Sequence, residues 1–348
     1  MVRGVDLRSS RRLNAPIPRM RILIAYPEAG RWRLPAGCQM TTCGTDAPEL
    51  TARLTDATTV LVTDAMPDPE AGARDLRWIH LLSAGYNQAI GHPLTERSGL
   101  RVTNSAGLCA GHMAEFIVGQ MLRQVKRFDE LAALQQARTW PHRVSLAAPA
   151  LRGRRALIVG YGGVGRETAR LLTALGVAVD AVQRTAERTG YHGFLPATGM
   201  GDPEGRLPER VYATQDLAKA LPDADFVILT IPLTPRTRHL LNQRTLGACK
   251  SGAVIINVAR GDLIELPSLI RSLEQNRIGH AYLDVFSTEP LPADSPLWRQ
   301  PRVTVTPHMS GVMPDAARLH EQLLRENLRR FQAGEPMLNE IDPERLKA

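Results

Sequence analysis

Ala156-Leu157-Ile158-Val159-Gly160-Tyr161-Gly162-Gly163-Val164-Gly165 decides the fold. A short apolar run of strand character enters a glycine-rich turn, and the turn opens a helical segment containing Ala169, Leu171 and Leu172. The first glycine permits the tight turn, the second lets the backbone approach a pyrophosphate, and the third allows close helix-to-strand contact. Free amides at the helix start then face the anion. A lone GxGxxG is weak, because a turn that only packs can carry the same letters. Here a strand precedes it and a helix follows it, which is the context the fingerprint requires.

Working outward, residues 177–182, 226–231, 254–257, 281–284 and 303–306 also read as strands. Together with 156–159 they make six, the complement of a dinucleotide-binding sheet. Upstream, residues 21–26, 58–63, 78–82 and 100–103 read as strands of a smaller first domain. Strands alternating with crossovers long enough for helices predict an α/β chain, its parallel sheets covered on both faces. A helical pattern runs over about 110–137, and a loop with Pro141, Pro149 and Gly153 leads into the second series. Residues 190–208, rich in Gly and Pro, fit neither pattern and read as an irregular excursion without an assigned function. The chain closes with an amphipathic helix over 314–333, whose Leu319, Leu323, Leu324 and Leu328 need a domain to pack against.

Composition bounds the function. A chain of 348 residues exceeds one ordinary core. Its 43% hydrophobic and 22% charged content is ordinary for a globular enzyme and excludes general disorder. No apolar run reaches the roughly 20 residues of a membrane span, so a soluble, cytoplasmic protein is expected. The net charge of +8 suits nucleic acid or small anionic ligands. No reading helix or aromatic-and-basic platform supports the former. Residues 1–19 read as a flexible Arg-rich tail without the apolar centre of a secretory signal, or as an over-long start before Met20. Cys38, Cys43, Cys109 and Cys249 form neither a CxxC pair nor a disulfide framework, so a reducing compartment and no structural metal are expected.

The second strand of the large series ends at Gln183-Arg184-Thr185, where an NAD-specific fold usually carries an acid for the ribose hydroxyls. Arg184 and Thr185 can instead accept a 2′-phosphate, which predicts NADP(H) as the preferred cofactor with NAD(H) possible. The plain alternative is a solvated arginine and an enzyme indifferent between the two. Asp180 precedes the expected position and, mid-strand, points elsewhere.

Three polar residues lie just beyond later strands, where an open α/β sheet binds ligands. Arg260 follows 255–259, Glu289 lies five residues past Asp284, and His308 follows 303–306. Hydride transfer to a ketone leaves negative charge on oxygen, so the site needs a proton donor and a nearby cation. Histidine suits the donor, a carboxylate beside it favours imidazolium and fixes its orientation, and a guanidinium grips a carboxylate by two parallel bonds. Singly, Arg260 reads as a surface charge, Glu289 as a turn residue and His308 as a helix cap; their joint occurrence after a dinucleotide fingerprint makes a catalytic set.

At these residues the chain resembles the D-isomer-specific 2-hydroxyacid dehydrogenases. The matching pieces run in order: 82–85, Asn104 with Gly107 and Ala114-Glu115, the glycine fingerprint, 232–234 with Thr237-Arg238, 257–261, 284–291 and 306–308. The resemblance implies that Arg260 binds substrate carboxylate and carbonyl, that His308 is the acid/base, and that Glu289 pairs with it. It implies a carboxylate-binding loop at Ser83, Ala84 and Gly85, although Gly85 could equally just turn the chain. Cofactor contacts fall by the same likeness on Gly160, Tyr161, Gly162, Gly163, Val164, Gly165, Gln183, Arg184, Thr185, Ile231, Pro232, Thr237, Val258, Ala259, Asp284 and His308. The implied fold is two Rossmann-like doubly wound parallel-sheet domains. A cofactor domain over 110–311 is inserted into a substrate domain over 20–109 that 312–348 completes. A homodimer is implied, with the helix after Ala110 in its interface.

The end of the second strand looks like that of NADP-using glyoxylate and hydroxypyruvate reductases, which predicts reduction of a small 2-oxo acid to a D-2-hydroxy acid. Formate dehydrogenases carry glutamine at the place of Glu289 and phosphite dehydrogenases lysine at that of Ala84, so both weaken. The competing reading is an NAD(P)-sensing, co-repressor-like binding protein on the same fold.

Overall fold

The computed structural model describes residues 20–347, so the Arg-rich tail lies outside the described residues. The described residues divide into two compact units, one holding 20–82, 88–104 and 320–347, the other Ser83–Asn87 and Ser105–Leu319.

The first unit is a five-stranded parallel sheet. Its strands are β1 (Met20–Ile24), β2 (Cys38–Thr42), β3 (Val60–Thr63), β4 (Trp78–Leu81) and β5 (Arg101–Asn104), in the order β2-β1-β3-β4-β5. Helix α1 (Ala47–Arg53) starts at Asp46, whose carboxylate accepts the N–H of Glu49 at 2.9 Å. Ile22, Ile24, Val60, Val62 and Trp78 are buried on one side of the sheet together with Leu324 and Leu328. Those leucines come from the closing helix Ala316–Ala333, which supplies the predicted amphipathic element with its partner surface. Strand β2 was not among the predicted strands. It is an edge strand with no fully buried residue, so its apolar signal is weak.

The second unit opens with α2 (Ala110–Lys126) and α3 (Phe128–Gln136). The single helix expected there is interrupted at Arg127, which takes φ of 56° and cannot continue an α-helix. There follow β6 (Arg155–Val159), α4 (Gly163–Ala174), β7 (Ala178–Gln183), β8 (Arg210–Ala213), α5 (Leu217–Ala220), β9 (Phe226–Leu229), α6 (Gln243–Ala248), β10 (Ala253–Asn257), α7 (Leu266–Glu274), β11 (Ile278–Leu283) and β12 (Val303–Val305). The sheet is parallel throughout, in the order β12-β11-β10-β9-β6-β7-β8. It has seven strands rather than six, because β8 forms directly after the Gly- and Pro-rich excursion and adds to the edge.

Alternation along the central strands builds both faces. Leu157, Val159, Val227, Leu229 and Ile255 meet Leu217, Leu246 and Leu269 on one side. Ile158, Ile228 and Ile256 meet Ala169, Leu172, Ile117 and Met121 on the other. The strand order reverses between β6 and β9, and the crevice at such a switch point is where doubly wound folds take their ligand.

Candidate active site

Gly160 follows β6 at that switch point. Its φ is +106°, and a β-carbon there would lie 2.5 Å from the Ile231 nitrogen and 2.6 Å from the Thr230 carbonyl carbon. Only glycine lets the turn pass so close to the chain leaving β9. A β-carbon on Gly165 would lie 2.3 Å from the Gly160 oxygen, so the third glycine is what lets α4 begin against the strand. Gly162, by contrast, meets nothing within 4 Å, and α4 carries no side-chain cap at its start. An open face beside uncapped amides is a cradle for a pyrophosphate, so these residues fit a dinucleotide. Val164 is half-buried and packs on the core, while Tyr161 buries its ring and donates its hydroxyl to Asp202 at 2.7 Å. Tyr161 thus presents backbone, not side chain, to the cradle.

At the end of β7, Arg184 and Thr185 are exposed, and no hydrogen bond or ion pair engages Arg184 among the described residues. Asp180 points away, as its place in the strand predicts. It is 1% exposed and paired with Arg155 at 3.0 Å and Arg210 at 2.7 Å. Gln183 turns its side chain toward the following loop, where its oxygen accepts the Thr189 hydroxyl at 3.3 Å. Ile231 and Val258 are buried. Ala259 is half-buried and Pro232 exposed. Thr237 is spent inside its own turn, donating to the Pro232 carbonyl at 2.8 Å.

The three candidate catalytic residues leave β10, β11 and β12, which are neighbours in the sheet. Glu289 receives the Phe286 N–H on Oε1 at 2.8 Å and meets Nδ1 of His308 with Oε2 at 2.7 Å. Partial burial pushes the Glu289 carboxyl up, but the hydrogen bonds from His308 and Phe286 and the charges of His308 and Arg260 outweigh it and hold it below its ordinary value. His308 sits at φ of 52°, in a turn held by Asp284. Asp284 is 1% exposed; its Oδ1 accepts the Thr306 hydroxyl at 2.5 Å and the Met309 N–H at 3.0 Å, and its Oδ2 accepts the Ser310 N–H at 2.8 Å. The side chain expected to touch cofactor is therefore already engaged in carrying the histidine turn.

Arg260 is held from two sides. Asn257 donates to the Arg260 carbonyl at 2.9 Å and accepts the Ala259 N–H at 3.1 Å, so the backbone is bracketed. At Gly261 a β-carbon would lie 2.1 Å from the Phe286 carbonyl carbon, which seats Arg260 against the loop that carries Glu289. The guanidinium donates Nη1 to the Ala259 carbonyl at 2.7 Å and lays Nη2 along Gly85, where a β-carbon would be 2.3 Å away. The loop Ser83–Asn87 is thus part of the same unit as the trio, with Ser83 Oγ donating to the Gly85 carbonyl at 2.9 Å and Asn87 Nδ2 to the Leu233 carbonyl at 3.0 Å. Ala84 is exposed on it. Sequence reasoning missed Asn87 and Asn257. A buried asparagine closing an otherwise apolar strand was the available signal for the second; the first had none.

Residues 118–310 match the family model described as the D-isomer specific 2-hydroxyacid dehydrogenase, NAD binding domain. A glyoxylate reductase of Thermofilum pendens is 30% identical over 293 residues, covering 83% of this chain and 80% of that protein. A glyoxylate/hydroxypyruvate reductase A of Serratia proteamaculans is 32% identical over 239 residues, covering 67% and 68%. A D-isomer specific 2-hydroxyacid dehydrogenase from Xanthobacter autotrophicus, solved in complex with NADPH and MES, superposes with a TM-score of 0.73 at 26% identity, covering 94% of this chain and 99% of that one.

Proposed function

This chain belongs to the D-isomer specific 2-hydroxyacid dehydrogenase family, and from that premise we propose that it reduces a small 2-oxo acid of the glyoxylate or hydroxypyruvate kind to a D-2-hydroxy acid with NADPH. The observation that carries the reading is the 2.7 Å pairing of His308 with Glu289 on a strand end adjacent to that of Arg260.

The dinucleotide, when bound, supplies the hydride for C2 of the ketone. Everything else falls to the chain. The amides of Gly162, Gly163 and Val164 hold the pyrophosphate. Arg260 grips the substrate carboxylate with Nη2 beside the Ser83–Gly85 backbone, which orients the ketone. His308, with Nδ1 committed to Glu289, offers Nε2 as the atom that delivers a proton to the ketone oxygen. Glu289 keeps the ring in one orientation and balances its positive charge.

NADPH is the preferred cofactor in this reading because Arg184 stands exposed where a 2′-phosphate needs a cation and no acid ends β7. The structural relative solved with NADPH supports the same choice. The co-repressor-like alternative draws no support from the two reductases described above, which carry enzyme names. We extend the proposal to 20–109 with 312–348 as the substrate domain, 110–311 as the cofactor domain, a homodimeric assembly and cytoplasmic residence. Phe128, Leu131, Trp140 and Val144 on and after α3 are exposed apolar side chains suited to the dimer contact. None of the described helices is long and apolar enough to cross a membrane.

The test is a panel of 2-oxo acids assayed with NADPH and NADH on the wild-type, His308→Ala and Arg184→Ala proteins. Turnover that vanishes in the first variant while cofactor still binds, and an NADPH preference that collapses in the second, are expected. Tight cofactor binding with no turnover of any acid by the wild-type protein would refute the reductase.

A further inference from the structure

The segment between β7 and β8 is explained neither by the sheet nor by the catalytic residues. It carries a buried polar network centred on Arg166, the residue after the glycine fingerprint, which is 2% exposed. The guanidinium donates in three directions: Nε to the Tyr161 carbonyl at 3.0 Å, Nη1 to the Asp202 carbonyl at 2.6 Å and Nη2 to the Thr189 carbonyl at 2.7 Å. It also lies over the rings of Tyr161 and Tyr191, 4.8 and 5.5 Å from their centroids. Asp202 closes the network, accepting the Tyr161 hydroxyl at 2.7 Å and the N–H groups of Arg206 and Leu207 at 2.9 and 3.0 Å. Glu167, 3% exposed, fastens the same segment by accepting the Gly201 N–H at 2.6 Å.

Two parts of the dinucleotide cradle meet in this network. Tyr161 belongs to the phosphate turn, and Thr189 ends the loop that leaves β7 at Gln183. Arg188, in that loop, donates to the Gly205 carbonyl at 3.0 Å. A turn holding Gly160, Gly162 and Gly163 has more backbone freedom than any other composition allows. Fixing Tyr161 at both its carbonyl and its hydroxyl removes freedom that binding would otherwise have to remove. A buried guanidinium with all three nitrogens engaged is the side chain that can tie three carbonyls at once.

We propose that Arg166, with Asp202, is a positioning residue for the cofactor: it presets the phosphate turn and, through Thr189, couples it to the loop 183–189 on the ribose side. The inference rests on the dinucleotide reading above. Fluorescence titration with NADPH and with NADH, beside steady-state kinetics with glyoxylate, tests it on Arg166→Met, Arg166→Lys and Asp202→Asn. The expected result is a cofactor Kd raised about tenfold in the methionine variant and less in the lysine and asparagine variants. The NADPH-to-NADH discrimination ratio should fall toward unity, and kcat at saturating cofactor should stay within about twofold. A lowered melting temperature with unchanged Kd values and ratio would mean a merely structural role and overturn the proposal. Should the methionine variant fail to fold, the lysine and asparagine variants decide by the same criterion. Wild-type protein that binds neither dinucleotide would overturn the function reading itself, a result separable from unaltered binding in the variants alone.

Discussion

Gly85→Ala isolates the placement of the Arg260 guanidinium. Gly85 does not adopt a positive φ, so alanine meets no backbone strain. Its new β-carbon would lie 2.3 Å from Arg260 Nη2, 3.3 Å from Cζ and 3.5 Å from Asn87 Oδ1. Carbon and nitrogen rest at roughly 3.5 Å, so the guanidinium must retreat by about 1 Å. It cannot do so by carrying its backbone along, because Asn257 brackets the peptide and Gly261 is wedged against Phe286. The side-chain end swings instead, which is cheap for folding and expensive for orientation. A displacement of about 1 Å in a substrate-holding group costs about a hundredfold in rate. That corresponds to about 2.7 kcal/mol of lost transition-state stabilisation. The expected outcome is a kcat/KM for glyoxylate lowered by between about tenfold and a hundredfold, with thermal unfolding within about 2 °C of wild type. Steady-state kinetics beside a thermal melt reads both. Unchanged kcat/KM would refute the reasoning, since it would mean that the guanidinium does not hold substrate from its place beside Gly85.

Glu289→Gln keeps an acceptor for the Phe286 N–H but removes the charge facing His308, so kcat should fall at least about tenfold with little change in cofactor binding. Because the folded-state carboxyl of Glu289 lies below its ordinary value, it stays ionised as pH falls until below the usual carboxylate range. A pH–rate profile of the wild-type protein should show no activity loss from this group above about pH 4.5, and a loss there that disappears in the glutamine variant would contradict it. Asp284→Asn turns an amide N–H toward the Met309 or Ser310 N–H, leaving a buried donor facing a donor at a cost of about 1–3 kcal/mol. Both the melting temperature and kcat should drop, and a stable variant with full kcat would show that the turn does not need the carboxylate. In the first unit, burial lowers His80 to about 3, with the charge of His320 adding to it, and burial lowers His320 to about 4, against an ordinary 6.5. The unfolded chain therefore takes up protons first, and stability present above about pH 6.5 is lost as pH falls. At about pH 5.5 each histidine should cost about 1.4 kcal/mol, visible as a lower urea midpoint than at about pH 7.5. A midpoint independent of pH over that range would count against buried neutral imidazoles.

Local patterns made much of this protein readable. The strand, glycine turn and helix of 156–172 need only neighbours in sequence, and so do the apolar strands of both sheets. Even the candidate catalytic positions announced themselves as polar residues just past apolar runs, because a strand's end is visible where its hydrophobic alternation stops. The edge strands β2 and β8 were missed for the converse reason. They are short, sit at the sheet margins and bury little, so pairing with a neighbour defines them more than their own side chains do. The helix break at Arg127 left no glycine or proline to mark it.

What amino-acid order determined by itself was the class of fold, the place of the phosphate turn and the chemical types available at the strand ends. Only tertiary structure decided which of them meet. The pairing of His308 with Glu289 depends on β11 and β12 lying side by side. The seating of Arg260 on Gly85 spans more than half the chain, and the engagement of Arg166 with Asp202 crosses an excursion without periodicity. Periodicity reports which face of an element is buried, within a few residues of itself. A hydrogen bond between distant residues is set by strand order and loop closure, and no local pattern encodes either.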